Sequence, residues 1–211
     1  MDMNILGFYA NTKMLEQEEM FRHFLCSLSK ERQQKIEAMK AECGRRSSLG
    51  AWALLDYGLQ QLYGLREREI TIAYGAHGKP YVKDRPDIHF NLSHSGDYVL
   101  AAFAPVEIGC DIQQTTQGTR NERIAVRFFT EEEQQALVAG MDFYRIWARK
   151  ESCIKCTGEG MACDLRSFSV VEEKRAHFAE HTLPGYAMAV CYENAVHPVV
   201  WKEVVLEELK R

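Results

Sequence analysis

The chain has 211 residues, 46% of them hydrophobic and 27% charged, enough for one large core or two small ones. A formal net charge of −4 without a long basic run argues against a nucleic acid or an anionic membrane as the main partner. Of the seven cysteines, Cys153 and Cys156 lie three apart, but no second pair completes a zinc site, so reduced thiols in a cytoplasmic protein are expected. No basic leader precedes an apolar run, and no apolar stretch approaches the ~18 residues of a membrane span, so neither secretion nor membrane insertion is expected.

Residues 3–10 alternate loosely and are predicted as a strand, while 14–27 and 31–42 carry helical spacing, with Leu15, Met20, Phe24, Leu28, Ile36 and Met39 inward. Residues 30–46 hold six basic side chains (Lys30, Arg32, Lys35, Lys40, Arg45, Arg46) against three acids (Glu31, Glu37, Glu42). That surplus suits an anionic ligand, and equally a solvated helix face. Gly44 reads as a break, followed by a long helix over 47–63 that buries Leu49, Trp52, Leu55 and Leu59 and is capped by Gly64. Arg45 and Arg46 then stand at a helix start, where unpaired N–H groups favour anions. A short strand over 70–73 and a Gly- and Pro-bearing turn over 75–80 follow.

Strands are predicted over 88–93 and 98–104, the second almost wholly apolar, as in a central strand. Between them Ser93-His94-Ser95-Gly96 reads as a polar turn of the kind that holds ligands on rigid scaffolds. A Ser-His pair with neither an oriented acid nor a GxSxG elbow does not support a serine nucleophile. Residues 106–113 alternate: Val106, Ile108, Cys110 and Ile112 face one way, Glu107, Gly109, Asp111 and Gln113 the other. A half-solvated edge strand explains Glu107 and Gln113 but not Gly109, which reads as room left beside the Asp111 carboxylate.

A helix is predicted over 123–129, and Thr130 to Glu133 is a capping box, which gives Glu133 a structural task. The helix through residues 147–155 ends before Gly158, with Trp147, Glu151 and Lys155 on one stripe and Lys150 and Ile154 beside it. Taken alone, Glu151 and Lys155 form a surface pair worth roughly a few tenths of a kcal/mol. Strands are expected over 165–171, 176–180 and 186–192, and a strand or last helix over 199–205. The stretch from Gly96 to Phe103 repeats faintly from Gly185 to Cys191. Two similar α/β halves meeting near residue 105 follow from it, with a ligand site at their seam.

Together the residues offer two carboxylates, Asp111 and Glu151, and bases at Arg46, Lys79, His94, Lys150 and Lys155. Neighbouring carboxylates repel, and a hard divalent cation with oxygen ligands is the common remedy. Bases around it suit a polyphosphate. The residues alone support a Mg2+-dependent enzyme acting on a phosphate-rich ligand.

Four ordered motifs sharpen that reading. Gly78-Lys79-Pro80, Phe90 to Gly96, Ile108-Gly109-Cys110-Asp111-Ile112 and Trp147-x-x-Lys150-Glu151-Ser152-x-x-Lys155 resemble the motif set of the 4'-phosphopantetheinyl transferases. The likeness is to the larger, surfactin-synthetase-activating type, and runs from about residue 28 to 192. It implies an α+β fold of two pseudo-symmetric α/β halves. Residues 1–105 would form the adenosine- and phosphate-binding side and 106–211 the half with the metal and catalytic residues. It implies a cytoplasmic monomer that moves the phosphopantetheine arm of coenzyme A to a serine of an apo acyl or peptidyl carrier protein, releasing adenosine 3',5'-bisphosphate. By the same resemblance Asp111 and Glu151, with Gln113 as a further ligand, would hold Mg2+. Arg46, Lys79, Ser93 and His94 would bind the adenosine and its phosphates. Lys150 and Lys155 would neutralise the pyrophosphate, and Glu151 would take the serine proton; Glu133 aligns with another acid given that role.

Gln113 departs from the family pattern, which has a second acid there, so weaker Mg2+ binding is expected. The carrier protein is expected to dock on the 114–129 region, against Arg120, Arg123 and Arg127. Two other readings use the same residues: a non-catalytic coenzyme A-binding module, and another Mg2+-dependent phosphotransferase or hydrolase.

Overall fold

Strand β1 (Ile5–Asn11) leads into helices α1 (Glu18–Ser27), α2 (Lys30–Glu37) and α3 (Glu42–Tyr63), then strands β2 (Ile72–Tyr74), β3 (Pro80–Val82), β4 (His89–Ser95), β5 (Tyr98–Ala104) and β6 (Ile108–Gln114). Helices α4 (Arg120–Phe128), α5 (Glu131–Val138) and α6 (Phe143–Thr157) follow, then strands β7 (His177–Leu183), β8 (Tyr186–Tyr192) and β9 (Val199–Glu203). This computed structural model describes residues 4–116, 120–172, 176–193 and 198–209, without the side chains of Arg120 and Met161. The expected strand start at Met3 lies outside that range.

Two units share one plan. In the first, β5 lies between β1 and β4, antiparallel to both; in the second, β8 lies between β6 and β7, antiparallel to both. Each unit therefore runs strand, helix, then a hairpin whose second strand inserts beside the first strand. The registers align them residue by residue. Asn11 faces Tyr98 as Gln114 faces Tyr186, so Phe8 opposite Ala101 corresponds to Asp111 opposite Ala189. The two expected pseudo-symmetric halves are present.

One apolar core joins α1 and α3 to the first sheet, and a second fills the space between the sheets, where Leu100, Ala102, Ile108, Cys110, Ile112 and Val190 meet. The chain returns at its end: β9 pairs parallel to β1 and joins the first sheet.

The sheets are also held together by a side-chain ladder. β6 is an edge strand of its sheet, and an edge strand leaves N–H groups to be satisfied. Three residues of β4 accept them: Asn91 Oδ1 from the Cys110 N–H at 3.0 Å, Ser93 Oγ from Ile112 at 3.2 Å, and Ser95 Oγ from Gln114 at 2.9 Å. The offset of 19 residues is the same on each rung, so the ladder sets one register between the halves.

Three expectations about elements need correction. Gly44 does not break α3, which runs from Glu42. One glycine in a helix costs only about 1 kcal/mol, less than the burial of Leu49, Trp52, Leu55 and Leu59 on that helix provides. The Ser93 to Ser95 stretch is strand, and the turn falls at Gly96 and Asp97. Residues 165–171 are not a strand but a short 3-10 turn, Leu165–Ser167, followed by irregular chain. Their backbone is satisfied by buried side chains instead of a ladder: the Glu133 carboxylate accepts the Val170 N–H, and Lys150 donates to the carbonyls of Leu165 and Phe168.

Candidate active site

Alternation along β6 sends Ile108, Cys110 and Ile112 between the sheets and turns Gly109, Asp111 and Gln113 toward α6. Gly109 is where the helix touches the strand. A Cβ on it would collide with the Ser152 carbonyl oxygen and the Cys156 backbone nitrogen. The room expected beside Asp111 is thus occupied by helix backbone. That close approach brings Glu151 and Lys155 over the carboxylate.

Asp111 is 2% exposed and held by three donors. Lys155 Nζ lies 2.6 Å from Oδ1, Ser93 Oγ donates to the same oxygen at 2.9 Å, and Gln113 Nε2 donates to Oδ2 at 2.6 Å. Lys155 also donates to Ser93 Oγ at 2.9 Å. The serine hydroxyl therefore gives its proton to Asp111 and accepts from Lys155 and Ile112, which uses its full hydrogen-bonding capacity. Ser93 is a relay between the halves, not a nucleophile.

Glu151 is the strained member of the group. Burial pushes its carboxyl above the ordinary value, the nearby Asp111 charge adds to that, and Lys155 opposes both. Among the described residues it makes no hydrogen bond or ion pair. Burial alone would lower the Lys155 ammonium, but Asp111 and its neighbours outweigh it and raise the value. On the rim, desolvation and then Lys155 lower the His94 imidazole, against a smaller pull from Asp111.

The other expected bases divide. Lys79 donates to Glu107 Oε2 at 2.5 Å and to the Cys156 carbonyl at 2.8 Å, near the last turn of α6, where a cation suits the helix dipole. With His77, His89 and Gly158 it lines a cavity of about 460 Å³ beside the seam. Arg46 pairs with Glu16 and stands 4.0 Å from Asp97 in the β4–β5 turn, without contacting the Asp111 group.

Lys150 does not reach the site. It is fully buried, pairs with Glu133 at 2.9 Å, and donates to the Leu165 and Phe168 carbonyls at 2.6 and 2.7 Å. Glu133 is equally committed, to Lys150, to Val170 and to the Thr130 N–H of its capping box. An i−1 neighbour of Glu151 points a quarter-turn round the helix, and that quarter-turn is interior here. The ladder role of Asn91 and Ser95 was not read from the sequence, although polar residues at 91, 93 and 95 alternating with apolar Phe90 and Leu92 were the available signal.

Among the described residues no group of three or more His, Cys, Asp or Glu side chains is arranged for a metal ion. In chemical type, the carboxylates of Asp111 and Glu151 and the amide oxygen of Gln113 are the donors that a hard divalent cation takes. A cation there would offset the burial and, after it, the Asp111 repulsion that raise the Glu151 carboxyl.

Residues 15–106 match the family model for the 4'-phosphopantetheinyl transferase N-terminal region, and residues 107–203 match that of the 4'-phosphopantetheinyl transferase superfamily. The 4'-phosphopantetheinyl transferase Sfp of Bacillus subtilis (strain 168) is 36% identical over 217 residues, covering 93% of each chain. The 4'-phosphopantetheinyl transferase gsp of Aneurinibacillus migulanus is 32% identical over 158 residues, covering 71% of this chain and 64% of that protein. The L-aminoadipate-semialdehyde dehydrogenase-phosphopantetheinyl transferase of Homo sapiens is 38% identical over 115 residues, covering 46% of this chain and 37% of that one.

Proposed function

The chain belongs to the 4'-phosphopantetheinyl transferase superfamily, and from that premise we propose which of its residues perform the transfer. The enzyme moves the phosphopantetheine arm of coenzyme A to a carrier-protein serine. The serine oxygen bonds to the β-phosphorus, the pyrophosphate P–O bond to the nucleotide breaks, and adenosine 3',5'-bisphosphate leaves. The observation that carries the assignment of residues is the contact of Lys155, Asp111 and Ser93 across the seam, with Glu151 beside them and without a partner among the described residues.

Asp111, Glu151 and Gln113 would hold Mg2+, which when bound would neutralise pyrophosphate charge. Lys155, fixed at one side by Asp111 and still 29% exposed, offers its remaining donors to the leaving bisphosphate. Glu151 accepts the serine proton, directly or through one water. Arg46, Lys79 and His94 bind the adenosine and its phosphates; Ser93 is left out because Asp111, Lys155 and Ile112 take up its hydroxyl, and Lys150 because its ammonium is consumed in the interior. The family models meet between residues 106 and 107, which supports a functional division into 1–105 and 106–211 within a monomer. The thiols and the net charge of −4 support a cytoplasmic enzyme without a nucleic-acid or membrane partner.

The test is to incubate the protein with coenzyme A, Mg2+ and an apo carrier protein and to weigh the carrier. The phosphopantetheine mass should appear, and its rate of appearance should fall about 10²–10³-fold in Asp111→Ala and in Glu151→Ala. Unchanged rates in both variants would remove the assignment. Replacing Gln113 by Glu restores a charge and should lower the Mg2+ concentration giving half-maximal rate; an unchanged requirement excludes Gln113 as a ligand.

For the carrier protein we propose α4 as the dock. Arg123 and Arg127 are exposed there beside Val126, which is 68% exposed, so a basic and apolar face is open to an acidic partner helix; the Arg120 side chain lies outside the described residues. Reversing the charge at Arg123 and Arg127 should raise the carrier KM and leave that of coenzyme A alone. An effect confined to coenzyme A would sink the proposal.

A further inference from the structure

The catalytic assignment uses none of the seven thiols, yet four of them gather behind the catalytic helix. Cys191 on β8 lies directly opposite Gly109 on β6, so both positions face α6. Gly109 is the point where the α6 backbone rests on the sheet, at Ser152 and Cys156. Cys153 and Cys156, one turn apart on α6, therefore come down on Cys191, and the three side chains pack in one cluster. Beside them a cavity of about 460 Å³ is lined by Cys153, Cys156, Cys163 and Cys191. Cys153 is half-buried at this cavity, whereas Cys156 and Cys191 are 3% and 0% exposed. The Cys156 thiol is already engaged, donating to the Glu107 carbonyl at 3.5 Å.

We propose that Cys153 and Cys191 are an oxidisable pair whose disulfide bolts α6 to β8 and switches off the active site. The cluster is not arranged as a metal site among the described residues, so a two-sulfur bond is the chemistry that its contacts favour. A small disulfide or a diazene dicarboxamide reaching the cavity takes two electrons and two protons from the two thiols. One S–S bond forms, and the oxidant leaves as two small thiols or as the hydrazine. Hydrogen bonding with Cys153, then with Cys156, and burial all push the Cys191 thiol far up.

The bond would act on catalysis through position. Sulfurs in contact must close to about 2.05 Å, within the narrow geometry a disulfide allows. The helix cannot close that gap by moving straight onto the sheet, because its backbone already rests on Gly109, so the Cys153 turn must slide or rotate. Glu151 and Lys155 sit two residues either side of Cys153, so a shift of this turn moves both relative to Asp111.

Trypsin makes the test specific. Cleavage after Lys150, Lys155, Arg166, Arg175 and Lys202 puts Cys153 in peptide 151–155, Cys156 and Cys163 in 156–166, and Cys191 in 176–202. The native protein would be treated with diamide, its remaining thiols alkylated and the digest mapped by mass spectrometry. The expected product is peptide 151–155 joined to 176–202, with transfer lowered at least tenfold and restored by dithiothreitol. Cys153→Ser should keep its transfer rate under the same treatment. The proposal is overturned if 151–155 and 176–202 are never joined, or if they join while transfer is unchanged. The loss of activity rests on the transferase reading. The transfer rate of the reduced protein is measured first, so failure of that reading is seen separately from the peptide map.

Discussion

In the first unit the strand position opposite Ala101 is Phe8, whose ring meets Tyr57 of α3 at 5.3 Å and Phe103 of β5 at 6.0 Å. In the second unit the corresponding position, opposite Ala189, is Asp111, which meets Lys155 of α6 at 2.6 Å. The two units differ again at the edges of their first strands. β1 is closed by backbone pairing with β9, whereas β6 is closed by the side chains of Asn91, Ser93 and Ser95. A closed backbone edge and an aromatic core make the first unit a frame. The second gives up apolar packing at one strand position for ionised groups, and its side-chain ladder sets Ser93 against Asp111. A buried Phe stabilises by roughly 1.5–3 kcal/mol, while a buried ion pair is often no better than an apolar replacement. One plan, used twice, thus gives a well-packed apolar position in one unit and a buried ionised group at the matching position of the other.

Not every buried charge of the second unit belongs to the chemistry, and the sharpest experiment separates them. Lys150→Ala leaves the fully buried Glu133 without its cation and frees the carbonyls of Leu165 and Phe168. Urea denaturation should give a loss of about 3–5 kcal/mol, with KM for coenzyme A unchanged in the molecules that remain folded. A raised KM with little loss of stability would return Lys150 to the phosphates. On the other side of the comparison, Phe8→Ala should lose about 3 kcal/mol, because Tyr57 and Phe103 can close only part of the cavity. Its kcat should not move. A fall in kcat at full stability would mean that the first unit shares in the chemistry.

What could be read from the chain beforehand was what is local. Alternation on β6, the stripe of Trp147, Glu151 and Lys155, the capping box at Thr130 and the cap at Gly64 each lie within a few residues, and each is found as expected. Motif order placed Asp111 and Lys155 in one site but assigned the lysine to the pyrophosphate; their ion pair joins positions 44 residues apart, and only the fold reveals it. The ends of Lys150 were hidden, because they are set by Glu133 and by carbonyls of chain that only tertiary contact could bring there. The same contacts took residues 165–171 out of the strand class despite their composition. Gly109 was seen to need an explanation, but only the crossing of α6 reveals that helix backbone occupies the space.

The smallest effect probes the energetic side of the same comparison. Glu151 is a carboxyl whose folded value is raised, by burial first and by Asp111 next. The folded state thus holds its proton more tightly than the unfolded chain does. Stability is lost as pH rises from the unfolded value through the folded one, and above both the full penalty is present. Glu151→Gln removes the charge and with it the penalty. Without divalent cation, the variant should melt above the parent at pH 8, and the gap should narrow toward pH 4. Its transfer rate should fall at the same time, because the amide cannot take the serine proton. A gap in melting temperature that stays constant with pH would mean that the gain comes from packing, and that the charge of Glu151 is not the strained element of the second unit.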